Sequence, residues 1–154
     1  MIHLADAAAT DALGHRLATA LQVFDRGIVV SLRGELGAGK TALARAILRG
    51  LGHDGRVVSP SYTLVEPYAL GARTLFHLDL YRLGDPEELE FLGIREIDTD
   101  RDWVFIEWAE RGTAFLPPLD LEIRLAYADS ARQVAFCALT PIGEELVAAL
   151  DFAR

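Results

Sequence analysis

The segment Gly34-Glu35-Leu36-Gly37-Ala38-Gly39-Lys40-Thr41 constrains this chain more than any other. It fits the pattern G-x-x-x-x-G-K-[ST], and its flanks supply the context that pattern needs. Ile28 to Leu32 is an apolar run that predicts a buried strand, while Ala44, Ile47, Leu48 and Leu51 recur at helical spacing with Gly50 and Gly52 as the stop. Glycines in such a turn let successive backbone N–H groups point inward around phosphate oxygens, and the following helix directs its positive end at the same place. Lys40 adds a compact point charge and Thr41 a hydroxyl suited to magnesium. With 13 glycines and a single lysine in the sequence, the expected number of chance matches is roughly 10⁻³.

Composition sharpens this reading. Fourteen of the 15 basic residues are arginine and Lys40 is the only lysine, which directs the search to position 40 for chemistry that arginine cannot supply. Asparagine is absent, which excludes an N-K-x-D guanine-reading motif in its usual form. The 15 basic against 23 acidic residues give a net charge of −8, the wrong sign for a protein that tracks a nucleic-acid backbone through its own surface. A length of 154 residues, 51% hydrophobic and 25% charged, matches one ordinary globular domain. No apolar run approaches the ~18 residues of a membrane span, and Asp6 and Asp11 occupy the region where a signal peptide carries positive charge, so a cytoplasmic location is expected. Cys137 is the only cysteine, which leaves no internal disulfide and predicts a buried free thiol.

The rest of the chain alternates helix and strand without repeat or linker. Leu13, Leu17, Ala20, Leu21 and Phe24 share one face of a helix from Asp6, its N-cap, to about Phe24, and Gly14 inside it predicts close packing. Further strands are expected at Tyr62 to Pro67, Thr74 to Leu80, Trp103 to Ile106, Leu119 to Tyr127 and Gln133 to Leu139, with short helices at Pro86 to Leu92 and Gly143 to Leu150. The pattern predicts a single P-loop α/β domain, 1–154, with a mainly parallel central sheet flanked by helices and an antiparallel late hairpin.

A P-loop needs a carboxylate to hold magnesium or its water, usually at the end of an apolar strand. Two candidates compete: Glu107 ends Trp103-Val104-Phe105-Ile106-Glu107, and Asp79 ends Leu75-Phe76-His77-Leu78-Asp79. Ser59-Pro60-Ser61-Tyr62-Thr63 places three hydroxyls and a restricted proline after the P-loop helix, as either a nucleotide-sensing switch or a turn into a strand. His77 has no metal-ligand spacing and reads as a satisfied core histidine.

Taken together, these segments resemble the TsaE family, formerly YjeE, bacterial P-loop ATPases of threonylcarbamoyladenosine (t6A) formation in tRNA. The resemblance rests on Thr10-x-x-Leu13-Gly14-x-x-Leu17-Ala18, the P-loop, Ser59 to Tyr68, His77-x-Asp79-Leu80-Tyr81-Arg82-Leu83, Glu87-Glu88-Leu89-Glu90 and Ile106-Glu107-Trp108. Ser61 departs from the family's usual threonine but keeps the hydroxyl. The resemblance implies an ATP site at Gly37, Ala38, Gly39, Lys40, Thr41 and Ala42, with magnesium held by Thr41 and Glu107, Asp79 nearby and Trp108 packed beside the site. Asp6-Ala7 matches the family stretch near the nucleotide base, and Arg132 in the late hairpin takes a family-like position for nucleotide contact. Lys40, Asp79 and Glu107 are the implied catalytic residues. The implied role is an accessory ATPase, weak alone and stimulated by TsaD and TsaB, that supports repeated turnover in modifying position 37 of tRNAs reading codons that begin with adenine. TsaC supplies the threonylcarbamoyl-adenylate, and tRNA is contacted mainly through the complex, which suits the acidic charge.

The residues alone leave two other readings open. A P-loop also positions ATP for transfer to a small-molecule acceptor, although no acceptor pocket is legible. Alternatively, bound nucleotide alone recruits a partner and hydrolysis is negligible.

Overall fold

Four parallel strands carry the glycine-rich turn in the computed structural model, which describes residues 1–150. The strands are β1 (Ile2–Leu4), β2 (Ile28–Arg33), β3 (Val65–Leu70), β4 (Arg73–Asp79), β5 (Trp103–Glu107), β6 (Leu121–Ala128) and β7 (Ala131–Ala138). They form one seven-stranded sheet in the order β1-β7-β6-β2-β5-β4-β3. The central strands β6, β2, β5 and β4 pair in parallel, and β6–β7 is the expected antiparallel hairpin. Antiparallel β1 and β3 complete the two edges and make the sheet mixed. Three residues of β1 are too short a run for alternation to reveal.

Strand alternation sorts the core into two layers. Ile28, Val30 and Leu32 of β2 face α1 (Ala7–Val23), α2 (Lys40–Gly50) and α3 (Pro141–Leu150) together with Phe105, Ile123 and Leu125. Val29, Val104 and Ile106 face the opposite way, against Leu80, Leu83, Leu89 and Ile94 of the segment that carries the 3-10 helices Pro86–Leu92 and Ile94–Glu96. Asp6 caps α1 by accepting from the Ala9 N–H at 2.9 Å. Gly14 lets α1 lie against α2, since a Cβ there would overlap Ala46.

Two expectations shift. Tyr62 to Leu64 belong to a turn rather than to β3: the Leu64 N–H donates to the Pro60 carbonyl at 2.7 Å, and Leu64 has φ of +67°, so extended pairing starts only at Val65. Cys137 is half-buried, because it shares with Gln133 and Ala135 the β7 face turned away from α1, α2 and α3.

Candidate functional site

The turn after β2 is shaped by glycines at the positions that need them. Gly37 and Gly39 have φ of +80° and +107°, a region where a side chain costs roughly 1–2 kcal/mol per residue. A Cβ on Gly34 would approach the Leu125 carbonyl oxygen to 2.5 Å. This backbone delivers Lys40 as the first residue of α2, with its side chain folded back into the turn. Lys40 is buried; its Nζ donates to the Gly34 carbonyl and, at 3.3 Å, to the Glu35 carbonyl, and it lies 4.0 Å from the centroid of the Trp108 ring. Burial pushes the Lys40 ammonium below its ordinary pKa, against the opposing pull of Glu107, Asp79 and Glu110.

The two competing carboxylates are neighbours. Register pairs Asp79 with Glu107 across β4 and β5, and the period of two places Leu75, His77 and Asp79 on the same face as Trp103, Phe105 and Glu107. Thr41 Oγ1 lies 3.0 Å from both Glu107 oxygens, close enough to donate to the carboxylate. His77 Nε2 meets Glu107 Oε2 at 2.6 Å, whereas His77 Nδ1 is buried without a partner. The histidine is thus satisfied at one nitrogen only. Asp79 takes a different set: Ser61 Oγ donates to its Oδ2 at 3.2 Å and the Tyr81 N–H to its Oδ1 at 3.0 Å. Glu107 is therefore tied to the start of α2 just after the glycine turn, and Asp79 to the loop that carries the serines.

Among the described residues no group of three or more His, Cys, Asp or Glu side chains is arranged to hold a metal. A hydroxyl beside one carboxylate does suit magnesium, which prefers oxygen, keeps several waters and completes its octahedron with substrate phosphates. A cleft of about 250 Å³ reaches Gly39, Lys40, Thr41, Ser61, Asp79 and Glu107, so the donor set and the space coincide. Trp108 forms its rim with φ of +59°, an unfavourable conformation for a residue other than glycine, and Tyr81 packs on it with ring centroids 5.1 Å apart.

Ala42, exposed on α2, also lines this cleft, whereas Ala38 is a buried residue of the turn itself. The remaining predicted site residues sit at the periphery. Arg132 Nη2 lies 3.5 Å from the Gly37 carbonyl and its guanidinium stacks on Tyr127 at 4.3 Å. Ala7 is the exposed first residue of α1, three positions beyond Leu4, which pairs with Arg132. The junction of β1 and α1 therefore lies on the Arg132 side of the site, not among the carboxylates. Sequence reasoning missed Tyr127, whose hydroxyl donates to the Leu36 carbonyl at 3.0 Å and braces the turn. Nothing in the local sequence signals a contact between residues so far apart. A larger hollow, about 510 Å³ and lined by Arg33, Arg124 and Tyr127, flanks the same turn but includes neither Lys40 nor the carboxylates.

Strand, glycine turn, helix and an acid at the end of a neighbouring strand define a P-loop protein of the α/β class. Comparison with known proteins gives the particular family. The model of "Threonylcarbamoyl adenosine biosynthesis protein TsaE" matches residues 4–134, and the chain belongs to that family. It is 46% identical over 127 residues to the tRNA threonylcarbamoyladenosine biosynthesis protein TsaE of Haemophilus influenzae, covering 82% of this chain and 80% of the relative. A protein of the same name from Synechocystis is 42% identical over 112 residues, covering 70% and 69% respectively. The crystal structure of Bacillus subtilis YdiB superposes with a TM-score of 0.78 at 28% identity, covering 97% of this chain and 91% of that one.

Proposed function

We propose that this chain hydrolyses ATP as an accessory protein of t6A formation at position 37 of tRNAs reading codons that begin with adenine, working in the cytoplasm with TsaD and TsaB. The observation that carries the reading is the contact of Thr41 with Glu107 across the mouth of the glycine turn that also holds Lys40. Backbone N–H groups of Gly37 to Ala42 bind the phosphates, and Lys40 leaves the turn's own carbonyls to neutralise them. Thr41 and Glu107 would hold magnesium, which when bound offsets charge on the phosphate oxygens. Asp79, held by Ser61 and the Tyr81 N–H, orients the attacking water. Ala7 and Arg132 border the nucleoside, and the lack of an asparagine-lysine motif favours adenine over guanine.

Slow turnover alone follows from the same arrangement. Ser59 to Tyr68 links to the site through the Ser61–Asp79 contact, so ordering this segment around nucleotide both completes the water-binding side and presents Tyr62, which is 81% exposed, to a partner. A partner-supplied group can add ~10³ to 10⁵ in rate in related nucleotidases. No helix among the described residues is long and apolar enough to cross a membrane, and the net charge of −8 suits a subunit whose partners hold the tRNA. The test is phosphate release in single turnover, with and without purified TsaD and TsaB. Acceleration by the pair is expected. A rate as fast alone as in the assembly, or association that ignores ATP, would overturn partner gating. Absence of phosphate release under both conditions would overturn hydrolysis.

A further inference from the structure

We propose that His77 is a positioning residue: its Nε2–H holds Glu107 in the orientation that faces Thr41, an inference that rests on the magnesium site proposed above. The imidazole is wholly buried, as is nearly all of Glu107, and their 2.6 Å contact is the shortest made by the carboxylate. Glutamate has three rotatable side-chain bonds, so a carboxylate tethered only through one threonine hydroxyl would be free to swing. Fixing Oε2 through the imidazole holds the whole carboxylate against Thr41, whose Oγ1 lies 3.0 Å from both of its oxygens.

The tautomer follows from the surroundings. Nε2 has a carboxylate to donate to, whereas Nδ1 has no partner, so a proton on Nδ1 would be a buried donor without an acceptor. The geometry of the pocket suits a proton on Nε2. A core position that served packing alone would be filled by leucine without the unpartnered nitrogen; the unsatisfied Nδ1 is tolerated where the other nitrogen has a task. Strand geometry supplies the reach: His77 pairs with Phe105, two residues before Glu107 on the same face, so its ring lies diagonally beneath the carboxylate.

Three substitutions separate positioning from packing. The amide nitrogen of glutamine reaches about as far as Nε2, that of asparagine falls short, and leucine fills the volume without a donor. Binding of a fluorescent ADP is titrated against magnesium, with metal-free affinity and thermal melting measured alongside. For His77→Leu and His77→Asn the half-saturating magnesium should rise about tenfold or more, the usual effect of removing a partner that orients a metal ligand, with metal-free affinity unchanged. His77→Gln should stay within about threefold of the unsubstituted chain. Unaltered magnesium dependence in His77→Leu, or His77→Gln no better than His77→Asn, overturns the inference while leaving the site. If His77→Leu does not fold, the comparison of His77→Gln with His77→Asn decides alone. An unsubstituted chain whose nucleotide binding ignores magnesium overturns the site, and the inference with it.

Discussion

Replacing Lys40 with methionine separates what the lysine does for a phosphate from what it does for the fold. Its ammonium is buried and donates to two turn carbonyls, yet burial outweighs the nearby acids and lowers its pKa from 10.5. The folded chain therefore binds that proton less tightly than the unfolded chain does. Stability must rise as pH climbs through the folded pKa of Lys40 toward 10.5, and below that window the charged ammonium works against folding. Methionine keeps the length and most of the packing and discards the charge. Lys40→Met should melt at the same temperature as the unsubstituted chain or higher at pH 7.

Nucleotide binding should move the other way. A charge-assisted hydrogen bond to phosphate contributes about 1.5–3 kcal/mol, so its loss should weaken ADP or ATP by roughly 10- to 150-fold. No second lysine can substitute. Displacement of a fluorescent nucleotide gives the affinity, and calorimetry gives the melting temperature. Affinity within about threefold of the starting protein would refute the phosphate role, since that corresponds to less than ~1 kcal/mol. Weak binding accompanied by a large drop in melting temperature would refute the separation of the two roles. Because the chain has one lysine, ¹³C-lysine labelling reports on this site alone, and its side-chain signal should titrate with a midpoint below 10.5.

Glu107→Gln should weaken the magnesium dependence of nucleotide binding, whereas Asp79→Asn should slow phosphate release more than it weakens binding; the reverse ordering would exchange their roles. In a displacement titration ATP should outcompete GTP, and equal competition would remove the argument from the absent asparagine-lysine motif. Gly14→Ala should lower the melting temperature even though alanine is the better helix former by ~1 kcal/mol, because the added methyl overlaps Ala46 and overpacking costs about 1–3 kcal/mol. A rise on calorimetry would mean that α1 and α2 separate freely.

What was legible in the sequence was local. The glycine turn is a contiguous backbone shape, so its residues announce it, and the strand before and helix after it are long enough for apolar spacing to show. The acids were legible as strand ends but not as a pair, because their contact depends on the parallel register of β4 and β5, which single-strand patterning does not specify. The same limit hid the Tyr127 brace, which spans 91 positions, and the partner of His77, which spans 30. At β3 the local signal misled: Tyr62 and Thr63 suit a strand, but the Leu64 N–H bond to Pro60 and the ties from Ser61 to Asp79 and from Thr63 to Glu66 hold the segment in a turn.

Register also fixes the electrostatics of the site. Asp79 and Glu107 stand side by side on adjacent strands, with Lys40, the one buried lysine or arginine among the described residues, beside them. Two carboxylates against one ammonium leave the cleft negative before any phosphate arrives, and hydrogen bonds from Thr41, His77, Ser61 and the Tyr81 N–H disperse that charge without cancelling it. A polyphosphate meeting such a surface is attracted by the N–H groups of the turn and by Lys40 against the repulsion of the two acids, which a divalent cation would relieve. On this reading magnesium would tighten nucleotide binding as well as activate the phosphates. The binding constant should then depend on magnesium more steeply than it would at a P-loop with one acid, and Asp79→Asn should reduce that dependence less than Glu107→Gln does, since it removes a repelling charge but not the proposed magnesium ligand.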